Sequence, residues 1–132
     1  MSNATNHNYD PVVAAVSAAE PCVNAADMPA STAQPIRHIY VHIPFCARIC
    51  PYCAFYKDLL DRSQTWRFCE AILRELGQQC VNFALTPQTI YFGGGTPTAF
   101  TTSQLDFLLG GFRKRLDLSL LAEWTIDRKS VV

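Results

Sequence analysis

The 132-residue sequence has no charge of one sign to spare, because 11 Lys plus Arg balance 11 Asp plus Glu. No global field draws it to nucleic acid or to an anionic membrane, so small ligands are the expected partners. It also lacks any apolar run near the roughly 20 residues of a membrane helix, which excludes a membrane span of that kind. No Lys or Arg occurs among residues 1–36, which removes the basic start of a secretory signal and the Arg-rich pattern of a mitochondrial presequence. A reducing cytoplasm is therefore the expected compartment. There the six cysteines read as metal ligands or buried thiols before they read as a disulfide framework.

Residues 1–35 are rich in Ala, Asn, Ser and Pro, and Pro11, Pro21, Pro29 and Pro35 interrupt any helical periodicity. They are expected to form a disordered leader, with Cys22 as an isolated free thiol. Order is expected from Ile36, where Ile36, Ile39, Val41 and Ile43 make a β-branched run that stops at Pro44. A helix follows from Ser63 or Thr65, with Trp66, Cys69, Ile72, Leu73, Leu76, Cys80 and Phe83 along one face. On that stripe Cys69 and Cys80 read as small buried apolar residues, not ligands. A second strand is expected at Thr89–Phe92, after Thr86-Pro87. A second helix is expected from Thr101 to Ser103 onward, with Leu105, Leu108, Leu109, Phe112 and Leu116 on one side. Gly110-Gly111 weakens that helix by up to about 1 kcal/mol per glycine. A third strand is expected over 122–126. The alternation predicts an α/β fold with a parallel sheet, right-handed crossovers and ligand loops at the carboxyl ends of the strands.

Two loops at that edge are unusual. The stretch Tyr40–Tyr56 reads YVHIPFCARICPYCAFY and sets Cys46, Cys50 and Cys53 in a C-x3-C-x2-C spacing among Phe45, Tyr52, Phe55 and Tyr56. Three thiols in one short loop suggest a metal site. They suit a [4Fe–4S] cluster with one iron open to a ligand, or zinc if His42 supplies a fourth donor, and the aromatic surroundings favour the cluster. His42 is otherwise expected to anchor the strand end by a hydrogen bond, His38 to face the other way without a role, and Arg48 to be solvated. The second loop, Gly93-Gly94-Gly95-Thr96-Pro97, carries no Lys-Ser or Lys-Thr and so is not a Walker phosphate loop. Its glycines allow close backbone approach to a ligand and φ > 0.

Together, H-I-P-F-C-x3-C-P-Y-C ending at Cys53 and I-Y-F-G-G-G-T-P at residues 90–97 resemble the radical S-adenosylmethionine (SAM) superfamily. The resemblance covers residues 38–126 and is strongest to the branch of oxygen-independent coproporphyrinogen III oxidases and HemW-type heme chaperones. It implies the N-terminal part of a partial (β/α)6 TIM-like barrel over residues 36–126, with Cys46, Cys50 and Cys53 as ligands of a [4Fe–4S] cluster. It further implies that SAM lies against Tyr40, Tyr52, Phe55, Gly93, Gly94, Gly95 and Thr96, and that the reduced cluster passes it one electron to release a 5′-deoxyadenosyl radical. Heme or a porphyrinogen, and heme-acceptor proteins, are the implied further partners. Oxidases of the branch carry another cysteine two positions after the third ligand. Phe55 stands there instead, which leans the resemblance toward the chaperones, with the oxidase as alternative and a small zinc-stabilised domain as a distant one.

The resemblance ends at Ile126. Family members continue with W-T-I-E-A-N-P and roughly 200 further residues. Here Asp127 to Val132 read DRKSVV, the translation of GAT-CGG-AAG-AGC-GTC-GTG, and this tail is expected to be foreign. Such a truncated barrel is expected to be inactive alone and, with open sheet edges, prone to aggregate.

Overall fold

A computed structural model describes residues 21–22 and 34–128; most of the expected leader, and Lys129 to Val132, lie outside the described residues. The β-branched run forms strand β1 (Ile36–Ile43), followed by the short strands β2 (Phe45–Cys46) and β3 (Asp58–Leu59), helix α1 (Thr65–Asn82) and strand β4 (Leu85–Gly94). A 3-10 turn (Pro97–Ala99), helix α2 (Thr102–Arg115) and strand β5 (Glu123–Ile126) complete the order. The main sheet has three strands in the order β1-β4-β5, all parallel, as the alternation of elements predicts. β2 and β3 pair separately as a small parallel ribbon at the base of the cysteine loop.

Side chains alternate across the sheet. Val41 and Ile43 from β1 and Ile90 and Phe92 from β4 are buried against the helices. They meet Cys69, Leu73, Leu76 and Cys80 of α1 and Leu108, Phe112 and Leu116 of α2 in one apolar core. Phe92 and Phe112 pack edge to face with centroids 5.2 Å apart, and Trp124 of β5 stacks on Phe92 at 6.2 Å. The other face of the sheet, the barrel interior, carries His38, Tyr40 and His42 on β1 and Thr89, Tyr91 and Gly93 on β4 in matching register. His38 therefore shares a face with His42, contrary to expectation, because positions two and four residues apart on a strand point the same way. Its Nδ1 lies 2.9 Å from the Thr89 hydroxyl.

β4 starts four residues earlier than expected, at Leu85, and runs through Pro87. The ladder tolerates this because the register jumps there, from Ile36↔Leu85 to His38↔Thr89. Proline, with no N–H to donate, sits in that bulge. α2 begins as expected. Thr101 caps it, its hydroxyl accepting from the Gln104 amide while the Gln104 side chain accepts from the Thr101 amide. Gln104 also donates to the buried Thr65 hydroxyl at 2.6 Å, tying the starts of the two helices.

Two cysteines depart from expectation. Cys22 is joined to Cys80 as a disulfide across a sequence separation of 58, and its amide donates to the Arg115 carbonyl. The ends of α1 and α2 lie together at the amino edge of the sheet, and residue 22 is held there. Cys80 is thus buried, as expected, but as a bonded partner, and Cys22 is not free.

Gly110 and Gly111 have different reasons to be glycine. A Cβ at Gly110 would have nothing within 4 Å, whereas one at Gly111 would overlap the Leu73 side chain where the helices cross. Gly110→Ala is expected to stabilise the protein by about 0.5–1 kcal/mol through helix propensity. Gly111→Ala is expected to destabilise it by about 1–2 kcal/mol through overpacking. Urea midpoints measure both, and equal signs would contradict this account.

Candidate metal and cofactor site

β1 delivers the chain through Pro44 into the cysteine loop. The loop is pinned at its base where the Asp58 amide donates to the Pro44 carbonyl (2.8 Å) and the Leu60 amide to the Cys46 carbonyl (2.9 Å). Between these pins the Cys53 amide donates to the Cys50 carbonyl at 3.1 Å, closing a turn that separates the second and third thiols. Cys46, Cys50 and Cys53 are free and half-buried. The Lys57 ammonium donates to the carbonyls of Cys53 and Phe55, a tie with no signal in the sequence.

The glycine segment docks on this loop from β4. The Gly95 amide donates to the Ile43 carbonyl (2.6 Å) and the Thr96 amide to the Phe45 carbonyl (2.7 Å). The Thr96 hydroxyl lies 3.6 Å from the Cys46 sulfur. A Cβ at Gly95 would come within 2.6 Å of the Pro44 carbonyl, so glycine is required for this approach. Gly94 has φ +102, and a Cβ there would meet the His42 ring at 2.5 Å. At Gly93 the clash would be with the ring of Tyr91. All three glycines thus already answer to the protein's own packing.

A chain of polar contacts links the barrel interior to the loop. The Tyr40 hydroxyl lies 3.0 Å from His42 Nδ1, and His42 Nε2 lies 3.0 Å from the Tyr56 carbonyl. A carbonyl only accepts, so Nε2 carries the proton, and Nδ1 accepts from Tyr40. His42 therefore anchors the strand end, as expected. With both ring nitrogens engaged it has no lone pair left for a metal, and zinc loses its fourth ligand. Tyr40 stacks on Tyr91 at 5.8 Å. Burial, followed by the nearby Asp127 carboxylate, holds the Tyr91 hydroxyl above its ordinary range.

The structure therefore brings Cys46, Thr96 and the three glycines together, with Tyr40 joined to them through His42. It does not draw in Tyr52 or Phe55, which are 83% and 68% exposed at the loop's outer side. A hydrogen bond with Cys50, and then its charge, raise the Tyr52 hydroxyl above its usual value. Among the described residues no three His, Cys, Asp or Glu side chains already stand together as a metal-ligand group. Three cysteine sulfurs on one loop, pinned at its base and half-open to solvent, nevertheless form a donor set that suits an iron–sulfur cluster. Tyr91 and Lys57 escaped sequence reasoning. Tyr91 was detectable, since it precedes Gly93 by one strand period.

No family model matches the chain. Among curated proteins it is 39% identical over 89 residues to the heme chaperone HemW of Lactococcus lactis subsp. lactis, covering 67% of this chain and 22% of that protein. It is 32% identical over 94 residues to anaerobilin synthase of Escherichia coli O157:H7, covering 69% of this chain and 21% of the other. It is 39% identical over 85 residues to oxygen-independent coproporphyrinogen III oxidase of Pseudomonas aeruginosa, covering 61% and 18%. The chain thus spans about a fifth of the length of the curated relatives it matches. In fold it resembles the solved coproporphyrinogen III oxidase HemN from Escherichia coli, described as a radical SAM enzyme. The TM-score is 0.60 at 20% identity, over 88% of this chain and 30% of that one. Over the fifth of their length that it spans, the chain is thus similar in sequence to HemW, anaerobilin synthase and the oxygen-independent coproporphyrinogen III oxidase, and similar in fold to HemN.

Two outcomes follow from the site's geometry. Burial pushes the Cys69 thiol up to about 12, which leaves on the order of one part in ten thousand as thiolate at pH 8. Iodoacetamide is expected to alkylate Cys46, Cys50 and Cys53 in the native apoprotein and to spare Cys69 until denaturant is added; mass mapping of the labelled peptides reads this out. Gly94→Ala combines a positive φ with the clash against His42, and is expected to cost about 2 kcal/mol or more in urea denaturation.

Proposed function

We propose that this chain is the cluster- and SAM-binding segment of a radical SAM protein that handles heme or a porphyrin, most nearly a HemW-like heme chaperone. The observation that carries this is the direct attachment of the glycine segment to the cysteine loop, with Gly95 and Thr96 bonded to Ile43 and Phe45 and the Thr96 hydroxyl against the Cys46 sulfur. A cofactor bound by the cluster would sit at that junction. Cys46, Cys50 and Cys53 would hold the [4Fe–4S] cluster, leaving one iron for SAM. When bound, the cluster supplies a single electron to SAM. Gly93, Gly94, Gly95 and Thr96 would hold SAM from the β4 side and Tyr40 from the barrel interior. Tyr52 and Phe55, exposed here, would cover it from the loop side.

The chaperone is favoured over the oxidase by Phe55, which stands where the oxidases carry a further cysteine. The curated names are also mostly of HemW, although an oxidase and an anaerobilin synthase match as well. A reducing cytoplasm suits the three free loop thiols, and in it the Cys22–Cys80 pair at the opposite edge of the sheet would be held as two thiols. No helix of the described residues is long and apolar enough to cross a membrane.

Anaerobic reconstitution of the purified chain with iron and sulfide is expected to load about four irons per chain. Cys46→Ser, Cys50→Ser and Cys53→Ser should each lose most of that load, while Cys69→Ser retains it. Zinc binding without iron uptake would sink the proposal. Heme titration and an assay for 5′-deoxyadenosine in a form with the full family barrel would separate chaperone from oxidase: heme binding without porphyrinogen decarboxylation is expected.

A further inference from the structure

We propose that the Thr96 hydroxyl sets the reduction potential of a cluster on the cysteine loop, through a hydrogen bond to the Cys46 sulfur. The inference rests on the reading of Cys46, Cys50 and Cys53 as cluster ligands, and adds to it a residue that acts through one of them. The Thr96 hydroxyl lies 3.6 Å from the Cys46 sulfur, and both residues are half-buried. A thiolate bound to iron has no proton, so in that state the hydroxyl donates and the sulfur accepts.

The contact is held by the backbone on both sides. The Thr96 amide donates to the Phe45 carbonyl (2.7 Å), its carbonyl accepts from the Ala99 amide (2.9 Å), and the Cys46 carbonyl accepts from the Leu60 amide (2.9 Å). With both segments pinned, a β-branched side chain has few ways to point. Thr96 also stands at the N-cap of the 3-10 turn Pro97–Ala99, where a threonine hydroxyl ordinarily accepts from an amide of the first turn, yet it makes no such bond. Thr101, at the start of α2, does make it, with the Gln104 amide. The Thr96 hydroxyl is turned to the sulfur instead. One-electron reduction adds a negative charge that falls partly on the ligand sulfurs, and a donor bonded to one of them stabilises the reduced form more than the oxidised one. The Tyr52 hydroxyl that meets Cys50 belongs to a residue 83% exposed, where water can replace it. The half-buried contact at Cys46 therefore carries the larger effect.

The test uses the full 132-residue chain, reconstituted anaerobically without SAM and titrated with dithionite as the one-electron donor. Electron paramagnetic resonance follows the reduced cluster, and iron is counted in every sample. Thr96→Val, which exchanges the hydroxyl for a methyl of similar shape, is expected to keep the wild-type iron content. Its midpoint is expected to fall by about 59 mV, a tenfold loss in the equilibrium constant of a one-electron reduction. Thr96→Ser keeps a hydroxyl and should recover most of that shift. Thr98→Val removes an exposed hydroxyl from the same turn and should leave the midpoint where it is. Where the valine methyl disturbs loading, Thr96→Ala removes the hydroxyl without adding one and carries the same expectation. An unmoved midpoint in the variant that lacks the hydroxyl, an equal shift in Thr96→Ser or Thr98→Val, or loss of iron in both Thr96→Val and Thr96→Ala would each overturn the proposal. A wild type that takes up no iron would overturn the cluster reading and this proposal with it, an outcome the iron count tells apart from a loaded cluster indifferent to Thr96.

Discussion

The candidate site rests on one continuation of the sheet. Where β1 and β4 end, their ladder does not stop. Gly95 reaches the Ile43 carbonyl and Thr96 the Phe45 carbonyl, so the register that pairs Val41 with Phe92 also fixes the first cysteine relative to the glycine segment. Each such bond is worth only about 1 kcal/mol net. Their effect is positional, because they couple a loop with little core of its own to the most buried strand pair among the described residues. His42 secures the same joint from the barrel interior by bonding the Tyr56 carbonyl on the far side of the loop.

The architecture was legible in the sequence because burial in a parallel βα fold leaves strong periodic marks. The run Ile39, Val41, Ile43 and the stripe from Cys69 to Cys80 could pack on one another in few other ways. The failures came where one local rule was overridden by a tertiary one. Pro87 reads as a break, yet it occupies a bulge that needs no donor. Cys22 reads as isolated, yet its partner is 58 positions away and sequence distance says nothing about that. The three glycines were legible as a place of close approach; that His42, Pro44 and Tyr91 are the neighbours a side chain there would meet was not. The cysteine spacing was plain, but how the side chains of an open loop are arranged has no sequence signature.

The core and the candidate site occupy opposite faces of one sheet. Apolar side chains at Ile90 and Phe92 face the helices, while Thr89 and Tyr91 between them face the barrel interior beside His38 and Tyr40. An interior lined by hydroxyls, imidazoles and aromatic rings cannot pack dry as a core of Val and Leu would. It is suited to a bound group that satisfies polar atoms and stacks on rings. The matched heme chaperone, coproporphyrinogen oxidase and anaerobilin synthase share this segment.

The bulge at Pro87 also acts as a phase shifter. Before it, Leu85 and Pro87 are the buried members of β4; after it, Ile90 and Phe92 are, so odd positions give way to even ones within one strand. A one-residue change of length in an unbroken strand would turn every following side chain to the wrong face. Here such a change before Thr89 can be absorbed where the alternation already restarts. The amino end of the sheet, with its link to the preceding segment, is thus free to vary in length while Tyr91 and the glycines keep their facing.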